Sequence, residues 1–145
     1  MDRTDRELVT LLARDGRLSW RELAEAVHLS PNAVSERVRR LRESGVIRHI
    51  RAEVDPAALG RRLEAQIEVK LDAATAALDF EQALRHLPQI RSAALMTGSF
   101  DYAIRVACES REELMQVTEQ LRRHGGVRET CTRMVLRELQ FPAVV

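Results

Sequence analysis

Between Ser19 and Ile47 the chain reads SWRELAEAVHLSPNAVSERVRRLRESGVI, and this stretch starts two helices with almost nothing between them. Ser19 is placed to cap the first, and Glu22 three residues later completes a capping box that satisfies the unpaired N–H groups of a helix start. Ser30 repeats the signal, followed by Pro31 at the first helical position, where no N–H is needed. This second helix runs to about Ser44 and is stopped by Gly45. Only Val27, His28 and Leu29 connect the two, so the helices must cross at a large angle. A helix-turn-helix has that geometry, and its second helix enters the DNA major groove.

Helical spacing divides the second helix into two faces. Val34, Val38 and Leu41 stack inward and are expected to pack against Leu23, Ala24, Val27 and Leu29. Asn32, Glu36, Arg39 and Arg40 point outward, with Ala33, Ser35 and Arg37 at the flanks. From Arg37 to Arg51 six arginines stand against the single Glu43, while the whole chain is only +1. Positive charge is thus concentrated where a DNA face would lie, as phosphate neutralisation with counterion release requires.

Chemistry suggests a division of labour on that face. Arg37, Arg40 and Arg42 are suited to phosphates, with Ser30 at the helix start, and Asn32, Ser35, Glu36 and Arg39 to base edges. Asparagine pairs bidentately with adenine, glutamate accepts from cytosine N4, and arginine grips guanine. A competing employment for Glu36 and Arg40 is an i, i+4 surface pair.

The rest of the chain excludes several classes. It has neither an apolar run long enough to span a membrane nor a signal-peptide pattern, so a cytoplasmic protein is expected. Cys108 and Cys131 lack the spacing of a metal site and read as small hydrophobes. No metal or cofactor is implied. Lys70 is the sole lysine beside 22 arginines.

Upstream, Asp2 and Asp5 flank the start of a helix in which Leu8, Leu11 and Leu12 recur until Asp15-Gly16, giving a three-helix head over residues 1–47. Residues 48–62 read as an extended connector punctuated by Asp55-Pro56, with Val46 and Ile47 tucked under the head. From residue 63 to 145 strand and helix alternate. LEAQIEVKL, residues 63–71, has period-two alternation; a helix follows over about 74–87; 90–96 and 102–108 form a hairpin; Ser110 and Glu113 box a helix to His124; and a last strand runs over 127–139. The order β-α-β-β-α-β is that of a ferredoxin-like antiparallel sheet with both helices on one face. Its other face then needs a cover. The apolar positions Ala65, Ile67, Val69, Ala93, Leu95, Ile104, Val106, Val135 and Leu139 are enough for one face toward the helices and one toward a second subunit. A two-fold homodimer also suits a palindromic DNA operator.

With both halves in place, the chain resembles the Lrp/AsnC, or feast/famine, family of transcription regulators over nearly its whole length. The resemblance is carried by MDRTDRELVTLLARDGRLSWRELAEAVHLS, VSERVRRLRESGVI, AEVDPAALG, the loop TGSFDY and the terminal GGVRETCTRMVLREL. It implies an α/β two-domain chain: a winged or plain helix-turn-helix head and a RAM-type ferredoxin-like domain that dimerises, often assembles to an octamer, and responds to an amino acid or related small metabolite. The implied effector site lies at subunit interfaces near Thr97, Gly98, Ser99, Asp101 and Tyr102, with Thr130 and Thr132 as further candidates. Physically, Asp101 can answer an α-ammonium and exposed N–H groups of the loop an α-carboxylate, although a simple hairpin turn needs the same residues. His28 stands where the family commonly has glycine, and histidine tolerates positive φ. His49-Ile50 and His124-Gly125-Gly126 also depart from the family's pattern. Three alternatives remain: a siroheme-decarboxylase-like enzyme, which shares the architecture but wants clustered histidines, a ligand-sensing or assembly module whose head no longer binds DNA, and an effector-independent architectural DNA-binding protein.

Overall fold

Each helix of the N-terminal unit begins at a residue whose side chain closes the helix's own first turn. In the computed structural model, which describes residues 1–139, this unit comprises Met1–Glu53 and the second unit Val54–Glu138. Helix α1 (Arg3–Arg14) starts with a reciprocal box: the Asp5 N–H donates to Asp2 Oδ1 at 2.8 Å and the Asp2 N–H to Asp5 Oδ2 at 3.2 Å. Helix α2 (Trp20–Val27) carries the Ser19–Glu22 box, and α3 (Pro31–Glu43) is capped by Ser30, whose Oγ accepts from the Ala33 N–H. Between α2 and α3, His28 takes the left-handed conformation at φ 54° and ψ 44°, which turns the chain in so few residues. No strand forms among residues 1–53, so the described head is three helices and an extended tail.

The head's core consists of Leu8, Leu23, Ala24, Val34, Val38, Leu41 and Ile47. Val27 packs against it, but Leu29 and Val46 do not: both lie largely exposed, because Leu29 follows the left-handed residue and Val46 precedes the one residue, Ile47, that turns inward. Arg37 also departs from expectation. Its Nη1 donates to Asp2 Oδ2 at 2.6 Å and to Asp5 Oδ1 at 2.8 Å, tying α3 to the start of α1 rather than facing out.

In the second unit a 3-10 turn over Pro56–Leu59, capped by Asp55, leads into β1 (Leu63–Leu71), α4 (Ala77–Leu84), β2 (Ile90–Leu95), β3 (Tyr102–Cys108), α5 (Arg111–His124) and β4 (Val127–Met134). The sheet order is β2-β3-β1-β4 with every neighbouring pair antiparallel, the ferredoxin-like arrangement. Ala65, Ile67 and Val69 pair with Val106, Ile104 and Tyr102, and this row of side chains packs under Phe80 and Leu84 of α4 and Leu114, Val117 and Leu121 of α5. Cys108 is buried in the same core, where burial pushes its thiol up to about 11. No described helix is long and apolar enough to cross a membrane.

Three sequence expectations shift. Helix α4 is shorter than 74–87, because the Thr75 hydroxyl donates to the Gly126 carbonyl and residues 85–87 close with tighter i, i+3 bonds. Strand β4 ends at Met134, opposite Ala65, and the Val135 N–H makes a last bond to Glu64 O. The box at α5 is half formed: Ser110 accepts from the Glu113 N–H, but the Glu113 carboxylate turns to the Glu109 N–H and Gln89. Residues 140–145, assigned from sequence to this domain, lie outside the described residues.

The open sheet face mixes charged and small side chains and lacks the large aliphatic residues expected there. Residues paired across a sheet share a face, so Ala65, Ile67, Val69, Ile104 and Val106 all fall on the helix side, as do Ala93 and Leu95 on the edge strand β2. The other face shows Gln66, Glu68, Lys70, Arg105 and Arg133 beside the small side chains of Ala94, Ala103, Ala107 and Cys131, with Arg133 and Glu68 paired at 3.1 Å and Arg105 bonded to Glu138 at 2.6 Å. A subunit covering this face therefore meets ion pairs at its centre rather than the aliphatic side chains expected.

Two tests follow from these contacts. The Asp5 N–H first, and then Arg37, hold the Asp2 carboxyl below its usual range. A carboxylate depressed on folding stabilises the fold above its unfolded pKa and loses that contribution as pH falls through the folded value. Protection of α1 amides from hydrogen exchange should therefore fall on acidification below about pH 4. Arg37→Ala should lower that protection at pH 7 and make the acid decline shallower, and an unchanged exchange profile would remove the clamp. In the second unit, Gly60 and Gly126 both have positive φ, but a Cβ on Gly126 would lie 2.1 Å from Thr75 Oγ1 while one on Gly60 meets nothing. Gly60→Ala should cost about 1 kcal/mol and Gly126→Ala clearly more, read as thermal unfolding midpoints.

Candidate nucleic-acid interface and effector loop

Burial of Val34, Val38 and Leu41 fixes the rotation of α3 about its axis. Asn32, Glu36, Arg39, Arg40, Arg42 and Glu43 are consequently exposed, and Ala33, Ser35 and Arg37 are half-buried at the margins, the division read from the sequence. The exposed face is not simply cationic. Glu36 grips Arg39 side-on, Oε2 accepting from Nε at 2.9 Å and Oε1 from Nη2 at 2.5 Å, while Nη1 donates to Glu43 Oε1 at 2.5 Å. Hydrogen bonding to Arg39 holds the Glu36 carboxyl below the usual range. Arg40 stands 3.9 Å from Glu36, so the partner of Glu36 is chiefly Arg39 and not the i+4 residue.

This arrangement leaves two guanidinium N–H groups of Arg39 uncommitted, since an arginine carries five. It also sorts the other residues named from the sequence. Ser30 serves the helix start with its hydroxyl, and Arg37 serves the α1–α3 contact. Asn32 and Arg42 make no side-chain hydrogen bond among the described residues and remain available. Sequence reasoning passed over Trp20, the sole tryptophan, which opens α2 and is 45% exposed. An aromatic at an otherwise polar helix start was the signal for it.

At one end of the sheet the hairpin between β2 and β3 carries the second set. The Met96 N–H donates to Asp101 O and the Asp101 N–H to Val69 O, so the loop closes across both neighbouring strands. Thr97, Gly98 and Ser99 are exposed at its tip, and Gly98 has φ 118°, a conformation that side-chain-bearing residues rarely adopt. Asp101 faces inward. Its carboxylate accepts from the Leu71 N–H at 2.8 Å and from Lys70 Nζ at 3.1 Å, and these two bonds, the backbone one foremost, lower its pKa.

Tyr102 does not belong to an exposed loop. It is buried as the first core residue of β3, its ring 4.8 Å from that of Phe80 and its hydroxyl donating to Glu81 at 2.8 Å, and burial pushes its pKa up to about 12. Thr130 lies in the same cross-sheet row, paired with Val69, but its hydroxyl accepts from Arg122. Thr132 is exposed one step further along β4. Lys70 is the residue that the sequence did not single out for a role here.

Among the described residues no three His, Cys, Asp or Glu side chains come together as a metal site. Comparison with known proteins agrees with a regulator. Residues 1–48 match the winged helix-turn-helix DNA-binding model, and residues 64–143 match the Lrp/AsnC ligand binding domain. The chain is 34% identical over 143 residues to the HTH-type transcriptional regulator AldR of Mycolicibacterium smegmatis, covering 97% of this chain and 84% of that protein. It is 33% identical to the leucine-responsive regulatory protein of Klebsiella pneumoniae, over 97% and 87% of the two chains. Among solved structures, a transcriptional regulator of Neisseria meningitidis in complex with L-Met superposes with a TM-score of 0.89 at 29% identity, covering 100% and 96% of the chains. The feast or famine regulatory protein of M. tuberculosis complexed with L-methionine gives 0.90 at 32%, covering 97% and 95%. These relatives are regulators and none is an enzyme, which sets the decarboxylase alternative aside. With the head, the sheet order and both family models in agreement, the chain belongs to the Lrp/AsnC family of DNA-binding transcriptional regulators.

Proposed function

We propose that this protein binds a palindromic operator as a two-fold homodimer, reading base edges with α3, and that an amino acid or related metabolite adjusts that binding. The observation that carries the reading is the orientation of α3, whose apolar side is consumed by the head's core while Asn32, Ser35, Glu36 and Arg39 occupy the side left outside. A helix so presented fits the major groove, and a dimer offers two of them to half-sites about one DNA turn apart. Ser30 organises the helix start, and Arg40 and Arg42 supply charge toward phosphates. Acting on DNA, the protein works in the cytoplasm, and larger assemblies up to an octamer are built from the same dimer.

Methionine complexes of two relatives support an amino-acid effector. In this chain the loop 97–101 offers exposed backbone N–H groups to a carboxylate, with Thr130 at the same end of the sheet and Thr132 further along β4 toward its middle. Asp101 takes a different part from a free ammonium receptor: bonded to Lys70 and the Leu71 N–H, it fixes the loop's shape. A subunit interface beside this loop would complete the site.

Arg39→Ala should weaken binding to a duplex selected from a random pool by more than about tenfold, the loss of one good base contact, while a scrambled duplex loses far less. Equal affinity of wild type and variant for the selected duplex would take Arg39 out of the interface. For the effector, a thermal-shift screen of the amino acids with L-methionine included should give a selective rise in melting temperature. Asp101→Ala should abolish that rise while the chain stays folded. An unaltered calorimetric titration would sink the role of Asp101, and a blank screen on wild type would favour an effector-independent architectural DNA-binding protein.

A further inference from the structure

An inventory of the arginines around α3 shows that few of them are free to meet phosphate. Arg37 is held by Asp2 and Asp5, Arg39 by Glu36 and Glu43, and Arg40 stands near Glu36. Arg42 and Arg48 are exposed and have no carboxylate partner among the described residues. Both line the same groove of about 530 Å³, which runs beside α3 and is bounded on its far side by Trp20 at the start of α2. The buried side chains of Val38 and Ile47 form its floor, so it is a fixed feature of the head's packing. Glu43 also lines it, but its carboxylate is already bonded to Arg39.

We propose that this groove seats the sugar–phosphate backbone of one DNA strand, with Arg42 and Arg48 neutralising phosphates and Trp20 closing over the deoxyribose side. The inference rests on the DNA-binding reading above and adds to the charge of Arg42 a defined seat shared with Arg48 and Trp20. The chemistry of the lining fits that occupant. Indole presents an N–H donor and no acceptor, and its flat apolar face suits a sugar ring. Guanidinium groups without internal partners release the most counterions when they meet phosphate, because no intramolecular ion pair has to break first. The groove is also continuous with the base-reading face, since Ser35 and Arg39 line its edge. A strand held there leaves α3 beside the groove between the strands. In a helix-turn-helix the first helix of the motif crosses the backbone, and Trp20 opens that helix here.

The sole tryptophan makes the test direct. Acrylamide quenching of Trp20 is measured in the full-length protein, free and saturated with a fluorescein-labelled duplex whose binding is followed independently by anisotropy. The expected result is loss of most of the quenching in the complex, restored when salt dissociates it. Arg42→Gln and Arg48→Gln should each reduce the slope of log affinity against log salt by about 0.9, with similar losses on selected and scrambled duplexes. A saturated complex in which Trp20 quenches as freely as in the free protein would overturn the seat while leaving DNA binding intact. Unchanged salt slopes in both arginine variants would do the same. Absence of any anisotropy change at low salt would overturn the DNA-binding reading and the seat together.

Discussion

What the head shows to its surroundings is decided by three aliphatic side chains it hides. Val34, Val38 and Leu41 are almost fully buried, and α3 has no second apolar stripe with which to dock in another rotation. Turning the helix by one residue position would bring Ser35, Arg39 and Arg42 against Leu8 and Leu23, where unpaired polar groups cost several kcal/mol. The core thus acts as an orienting device. It fixes which edge of α3 carries Asn32, Glu36 and Arg39, and the left-handed His28 fixes how abruptly α2 hands over to it. Large-scale positive charge plays little part in that orientation and enters only after it is set.

Charge is then allocated unevenly. Six arginines over residues 37–51 suggest a uniformly cationic surface, yet aspartates and glutamates within the head take up a good part of it. The Arg39 pairs are solvent-exposed and add little stability, whereas Arg37 is partly buried between Asp2 and Asp5. Their consequence lies elsewhere. An arginine held side-on by Glu36 keeps one orientation and turns its uncommitted donors outward, while the carboxylate beside it repels phosphate. A face built this way discriminates against indiscriminate backbone binding, and only arginines without partners contribute strongly to non-specific affinity.

The local parts of this structure were legible in the sequence because their causes are local. A serine with a glutamate three residues on closes a helix turn whatever surrounds it, and the β-α-β-β-α-β order followed from periodicity and turn residues alone. Strand parity also carries two features found only in the structure: Tyr102, Ile104 and Val106 alternate on one face, which buries Tyr102, and Gln66, Glu68 and Lys70 alternate on the other, which brings charge to the open face. The destination of Arg37 was not legible, since Asp2 and Asp5 lie 35 and 32 residues away and come near only when α1 packs on α3.

These allocations bear on how a small molecule can regulate such a protein. An effector changes DNA affinity only by binding one assembly or orientation better than another, and a tenfold change corresponds to about 1.4 kcal/mol of differential binding. In a chain with a net charge of only +1, whose recognition helix keeps much of its charge paired internally, non-specific attraction does not mask so small a term. One good base contact is worth on the order of 1 to 3 kcal/mol, so misplacing a single side chain of α3 relative to its base pair matches the whole regulatory signal. Under the proposed function, the loop held by Asp101, Lys70 and the Leu71 N–H needs to bias an assembly only slightly, provided that the two copies of α3 in a dimer must meet both half-sites at once.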